Sequence, residues 1–270
     1  MNNALRESWR GTKLFRWQPS KDLLVLAISW ILVVAALYSA TVLIGPEAAG
    51  GMAYFGLYAV LGALIFGVGI PVFWIVIYRK RPLADLGLTT RGLTLSVTLQ
   101  VVFAVIQYFS AFRGITFPDW GKLLPLIALA LSIGLFEAIF WRGWVLLRLE
   151  ESFGLIAALL IGSLLYAAYH VGYAMPVREM AFLFVIGLIY ALVFRLTKSI
   201  FILWPLLQPM GQLVTLLEDR LTLPTLAALG FFEVLIVMWI VIWLAARYSK
   251  KAGIADQTKP TAEVPDNRQS

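Results

Sequence analysis

Apolar runs of roughly 20 residues recur along nearly the whole chain, separated by short breaks of charged residues, Gly and Pro. A run of about 20 apolar residues is what a helix needs to cross the hydrocarbon core of a bilayer. None of the runs sustains the strict alternation of a half-buried strand. The pattern therefore predicts an all-α, polytopic membrane protein of about eight transmembrane helices, at 23–44, 52–78, 93–112, 123–149, 154–173, 180–196, 200–217 and 223–246. Gly67, Gly69 and Pro71 predict a bend or close helix contact in the second span, and Pro205, Pro209 and Gly211 interrupt the seventh. Ahead of the spans, residues 1–22 interleave Trp9, Phe15 and Trp17 with Arg and Lys, the composition of an interfacial anchor on anionic headgroups. One integral membrane domain fills 23–247, and 248–270 is a polar tail without apolar periodicity, expected to be disordered.

Composition agrees with this reading. Of 270 residues 61% are hydrophobic and only 14% charged, with a mean hydropathy of +0.85, whereas a soluble domain has about a quarter of its residues charged. The net charge of +7 raises the question of a nucleic-acid partner, and its placement answers it. With eight spans, 18 of the 22 Lys and Arg residues fall on the side of both termini. That asymmetry is the positive-inside signature, so both termini are expected in the cytoplasm and the basic balance reports topology. The expected location is the plasma (inner) membrane of a prokaryotic cell, with membrane lipids and a membrane-associated peptide or protein substrate as partners and no nucleic acid. The absence of cysteine excludes disulfides, thiolate metal sites and a cysteine nucleophile.

Against this background a few polar residues stand out. Glu137 and Arg142 lie within the apolar fourth span, and His170, the single histidine, lies in the fifth. Ionisable groups at membrane depth cost several kcal/mol and are functional-site candidates by default. If the two spans form an antiparallel hairpin, residues at equal depth are symmetric about the turn. The midpoint of 137 and 170 falls on Ser152-Phe153-Gly154, directly after the charged Glu150-Glu151 pair, so Glu137 and His170 are expected to face each other. A buried carboxylate opposite an imidazole suits general-base work. The same pair also suits a structural bond between two helices, and the residues alone leave both open. With one His and no Cys, the chain offers too few ligands for a catalytic zinc, and neither a metal nor another cofactor is expected. Glu233, in the eighth span, is read as a packing or interface residue.

Glu137 and Arg142-Gly143, followed by Tyr166-Ala167-Ala168-Tyr169-His170, resemble the E-E-x-x-x-R and F-x-x-x-H signatures of the CPBP (Abi) family, the type II CAAX prenyl endopeptidase-like, glutamic-type intramembrane proteases. The basic stretch Arg81-Pro82-Leu83-Ala84-Asp85-Leu86-Gly87-Leu88 resembles the loop before that family's catalytic half, and Gly187 with Thr197-Lys198-Ser199-Ile200 resembles the approach to its third motif. The resemblance covers residues 79–217. It implies an eight-helix fold in which Glu137 and His170 polarise a water that attacks a peptide bond.

Two departures bear on that implication. The second Glu of the first motif is Ala138, four residues before Arg142, so an (i, i+4) Glu–Arg pair is lost and Arg142 must find another partner or snorkel to the interface. The third motif, H-x-x-x-N, is replaced by Gln208-Pro209-Met210-Gly211-Gln212 at the same spacing. The family's residues here stabilise the oxyanion, and a Gln amide can donate such a bond. Tyr166 in place of Phe adds a hydroxyl near the site. The leading expectation is thus a CAAX-protease-like intramembrane endopeptidase. The alternative is a catalytically weakened or inactive scaffold or immunity-type binding protein on the same fold. A transporter is a third class, loosely suggested by the broken seventh span, although the halves show no convincing repeat.

Overall fold

A computed structural model of the chain describes residues 11–45 and 51–254. Trp9, the Pro46-Glu47 break and the tail from residue 255 lie outside the described residues. The described residues are helical with no strand, as the apolar pattern predicts. Among the described residues, seven helices are long and apolar enough to span a membrane: α1 (Lys21–Ile44), α2 (Met52–Tyr78), α3 (Leu93–Gly114), α4 (Trp120–Phe153), α5 (Leu155–Tyr173), α6 (Val177–Thr197) and α8 (Ala227–Lys251). Between the last two lies the short α7 (Leu207–Glu218).

The organising element is α4. It is 34 residues long, and 83% of its most apolar window is buried inside the protein, against half or less for every other span. Apolar residues all round a helix mean burial on all sides, and α4 is surrounded by α2, α5, α7 and α8. It starts earlier than its hydropathy suggests because Asp119 caps it, accepting the Lys122 N–H at 3.2 Å. After Glu137 the backbone widens to i→i+5 bonding over Ala138–Leu146.

Two contacts fix what packs on α4. A Cβ on Gly143 would run into the Leu86 carbonyl, so the 83–88 loop backbone lies directly on the helix. Gly134 faces the Pro209 ring in the same way, which lets α7 approach closely. At the turn into α5, Gly154 has φ +86°, a left-handed conformation that favours glycine. The hairpin turn therefore sits where the symmetry of 137 and 170 puts it.

The seventh span differs in form from the expected 200–217 helix. Pro205 lacks an N–H and disfavours helix at the residue before it, so a short tight turn (Ile200–Ile202) and bends precede α7. Pro209 falls in the first turn of α7, where no helical N–H is needed. Twelve residues reach about 18 Å, short of the ~30 Å hydrocarbon core. The irregular stretch ahead of α7 supplies the remaining depth, with Ile200, Ile202 and Leu203 fully buried. Non-helical backbone at membrane depth is tolerated when protein covers it. The Trp204 indole adds a bond to the Leu131 carbonyl at 3.0 Å.

Hydrogen bonds also give the directions of the helices. Thr225 reaches the Gly121 carbonyl at 3.1 Å and Ser132 reaches the Phe231 carbonyl at 2.8 Å, so α8 runs parallel to α4. The extended segment 11–18 bonds to the α4–α5 turn through Arg16 N to Phe153 O (3.0 Å) and Leu155 N to Lys13 O (2.9 Å). Segment 11–18, the 79–91 loop, the α4–α5 turn and the end of α8 thus share one end of the molecule.

Candidate functional site

Glu137 closes the regular part of α4 and is 1% exposed. Its carboxylate is held by side chains from two other elements. Gln208 Nε2 donates to Oε2 at 2.5 Å and Gln212 Nε2 donates to the same oxygen at 3.2 Å. Both come from one face of α7, four residues apart, as the retained spacing predicts. The third donor is the Tyr169 hydroxyl, which bonds Oε1. Tyr169 was not singled out in the sequence, although Tyr166, Tyr169, His170 and Tyr173 carry the i, i+3, i+4, i+7 signal of a single helical face.

His170 lies beside this cluster without a direct hydrogen bond to Glu137. The end of α5 tightens to i→i+3 bonding over Tyr169–Tyr173, which brings Tyr169 to the acid. The Tyr169 ring packs against the imidazole, tilted by 58° at a centroid distance of 4.2 Å, so one tyrosine touches both groups. His170 Nδ1 is 3.0 Å from the Tyr166 carbonyl. A carbonyl only accepts, so in the neutral ring Nδ1 carries the proton and Nε2 the lone pair.

Arg142 neither snorkels nor pairs with a carboxylate. It is 1% exposed, with its guanidinium 5.0 Å from the centre of the Tyr166 ring and its Nε and Nη2 buried without hydrogen-bond partners. The position four residues before it is Ala138, which offers no carboxylate, and the backbone from Ala138 onward is wider than an α-helix. Gln208 Oε1 is likewise buried without a partner. Each buried polar atom left without a partner is costly unless something fills the site.

Other polar groups border the cluster. Next to α7, Gln107 donates to Tyr108 at 3.0 Å, and the Tyr108 and Tyr190 hydroxyls are 2.6 Å apart beside Gly211. Tyr173 donates to Tyr58 at 3.1 Å. Glu233 lies apart, exposed on the outer face of α8. Among the described residues no group of three or more His, Cys, Asp or Glu is placed to hold a metal ion.

Residues 119–206 match the family model of the type II CAAX prenyl endopeptidase Rce1-like proteins, which supports the CPBP/CAAX-protease-like family. The matched segment carries Glu137, Arg142, Tyr166, Tyr169 and His170 and ends just before Gln208. No curated protein and no solved structure matches the chain.

Proposed function

We propose that this CAAX-protease-like chain is an intramembrane endopeptidase in which Glu137 and His170 activate water for peptide-bond hydrolysis. The observation that carries the reading is the carboxylate of Glu137, buried in α4 yet bonded only by neutral donors, Tyr169, Gln208 and Gln212. Among the described residues no cation bonds it directly, and Arg142 acts on it only from a distance, so it keeps the capacity to accept a proton. A water placed between this carboxylate and the His170 Nε2 lone pair gives its proton to Glu137 while its oxygen bonds the substrate carbonyl carbon. The proton then passes to the leaving amide nitrogen as the C–N bond breaks. As charge develops on the carbonyl oxygen, the amide N–H groups of Gln208 and Gln212 turn from Glu137 to the oxyanion. The orphan Oε1 of Gln208 is free to accept a substrate N–H.

A second reading is favoured by the same donors. Three bonds occupy most of the roughly four acceptor sites of a carboxylate, which suits a catalytically silent scaffold or immunity-type protein whose polar cluster ties α4, α5 and α7 together.

Proteolysis of membrane-anchored peptides, prenylated and unprenylated, by the full chain in liposomes separates the two. Cleavage by the wild type that falls by roughly 10²–10⁴ in Glu137→Gln supports the protease, that being the span of a general base's contribution. This cleavage is expected to persist in EDTA, and zinc-restored activity after chelation would overturn the metal-free mechanism. Gln208→His, which restores the family's residue, is expected to raise turnover. Absence of cleavage by both the wild type and Gln208→His supports the binding protein.

A further inference from the structure

At the end of the molecule shared by segment 11–18, the 79–91 loop and the α4–α5 turn lies a polar cleft of about 250 Å³, well away from Glu137. One wall is the extended segment itself, whose carbonyls at Lys13 and Leu14 accept the first two N–H groups of α5, from Leu155 and Ile156, at 2.9 and 3.2 Å. Those N–H groups have no partner inside their own helix, so the segment is pinned in place, with the Lys13 and Arg16 side chains beside the opening.

The charges around the cleft do not balance. Asp85 forms an ion pair with Arg81 at 2.5 Å, Glu151 with both Arg81 (2.6 Å) and Arg148 (3.1 Å), and Glu150 with Arg195 at 3.0 Å. These pairs use the three carboxylates. Lys198 is left 3.9 Å from Glu150, and among the described residues Lys13 and Arg16 close no ion pair, the Arg16 guanidinium donating to Gln18 Oε1 and acting on Glu151 only from a distance. Arg148, 1% exposed, lines the cleft with its Nε buried and without a hydrogen-bond partner. Burial, together with the neighbouring Arg195, pushes the Lys198 pKa down from its ordinary value, and an incoming anion would relieve the repulsion.

The surroundings place the cleft at a bilayer surface. Phe15 and Trp17, beside Arg16, are 72% and 80% exposed, and the Trp17 ring packs at 5.2 Å on Phe153 at the tip of the α4–α5 hairpin. Exposed aromatics flanking a membrane span sit at headgroup level, and basic pockets between helices at that level take anionic headgroups.

We propose that this cleft is a binding site for a phosphate group, the headgroup of an acidic phospholipid or a soluble phosphate, held by Lys13, Arg16, Arg148 and Lys198. The test uses the full chain in phosphatidylcholine nanodiscs, with binding read by thermal unfolding and native mass spectrometry. The probes are phosphatidic acid, inorganic phosphate and oleate, the last an anionic lipid without phosphorus. Phosphatidic acid is expected to stabilise the chain. In the double variant Lys13→Gln/Lys198→Gln, at one exposed and one half-buried side chain, binding is expected to be about tenfold weaker. Lys122→Gln, at the other end of the molecule, should leave it unchanged. Stabilisation by phosphatidic acid alone assigns a lipid headgroup, and stabilisation by inorganic phosphate as well, with competition between the two, assigns a site for soluble phosphate. Equal stabilisation by oleate, or a double variant that binds like the wild type, overturns the proposal.

Discussion

At the scale of single residues, the weight rests on how Glu137 is held. The Tyr169 hydroxyl is the sole donor to Oε1 among the bonds described, so Tyr169→Phe strips one oxygen of its partner and leaves the packing of the ring intact. An unsatisfied buried acceptor costs about 1–3 kcal/mol. In a Tyr169→Phe variant the infrared carboxyl band assigned to Glu137, by its loss in Glu137→Gln, is expected to shift. In an active enzyme kcat should fall about tenfold with KM little changed. A band that stays in place would mean that the hydroxyl does not hold the acid. The legible part of this cluster is the part that violates its surroundings. An acid in an apolar helix and two glutamines on one face of a broken span attract notice, and Glu137, Gln208 and Gln212 do meet. Tyr169 is an ordinary residue for a membrane helix, and nothing in the sequence marks it as the donor to Glu137. The surroundings of Arg142 were equally hidden, because ideal helical spacing does not describe the widened backbone after Glu137.

At the scale of elements, the helices follow from the apolar runs, while the contacts between them depend on where a side chain is missing. Gly143 and Gly56 give a matched comparison. Both lie within membrane helices, and around Gly56 an added Cβ meets nothing within 4 Å. At Gly143 it meets the Leu86 carbonyl carbon at 2.8 Å, and backbone cannot rotate away as a side chain can. Gly143→Ala is therefore expected to lower stability by about 1–3 kcal/mol, the usual cost of overpacking. Gly56→Ala, at helical φ and ψ, should be neutral or slightly stabilising. Thermal unfolding in detergent checks the pair, and equal behaviour of the two would remove the argument that the 83–88 loop docks on α4. The shortness of α7 belongs to the same scale. Its prolines were visible in the sequence, but hydropathy alone does not distinguish a full span from a short helix extended by buried turns.

At the scale of the whole molecule, two separate lines of reasoning concern the same topology. The Lys and Arg count assigns both termini to the cytoplasm on the assumption of eight crossings. The bond from Thr225 to Gly121 and that from Ser132 to Phe231 make α8 parallel to α4, which brings the end of α8 to the end of the molecule that holds the α4–α5 turn and segment 11–18. For that to hold, the short α7 and the buried stretch before it must together carry the chain from one surface to the other. Because the chain has no cysteine, any thiol introduced by substitution is unique. Thr90→Cys and Lys251→Cys, both exposed at the end assigned to the cytoplasm, should react with a membrane-impermeant maleimide only after permeabilisation of the cells. Lys122→Cys, exposed at the start of α4, should react in intact cells. If Lys251→Cys instead labels together with Lys122→Cys, α7 does not cross and the count of eight fails. If all three positions exchange sides, the eight crossings stand and the positive-inside assignment is inverted, which would also move the phosphate cleft to the outer surface.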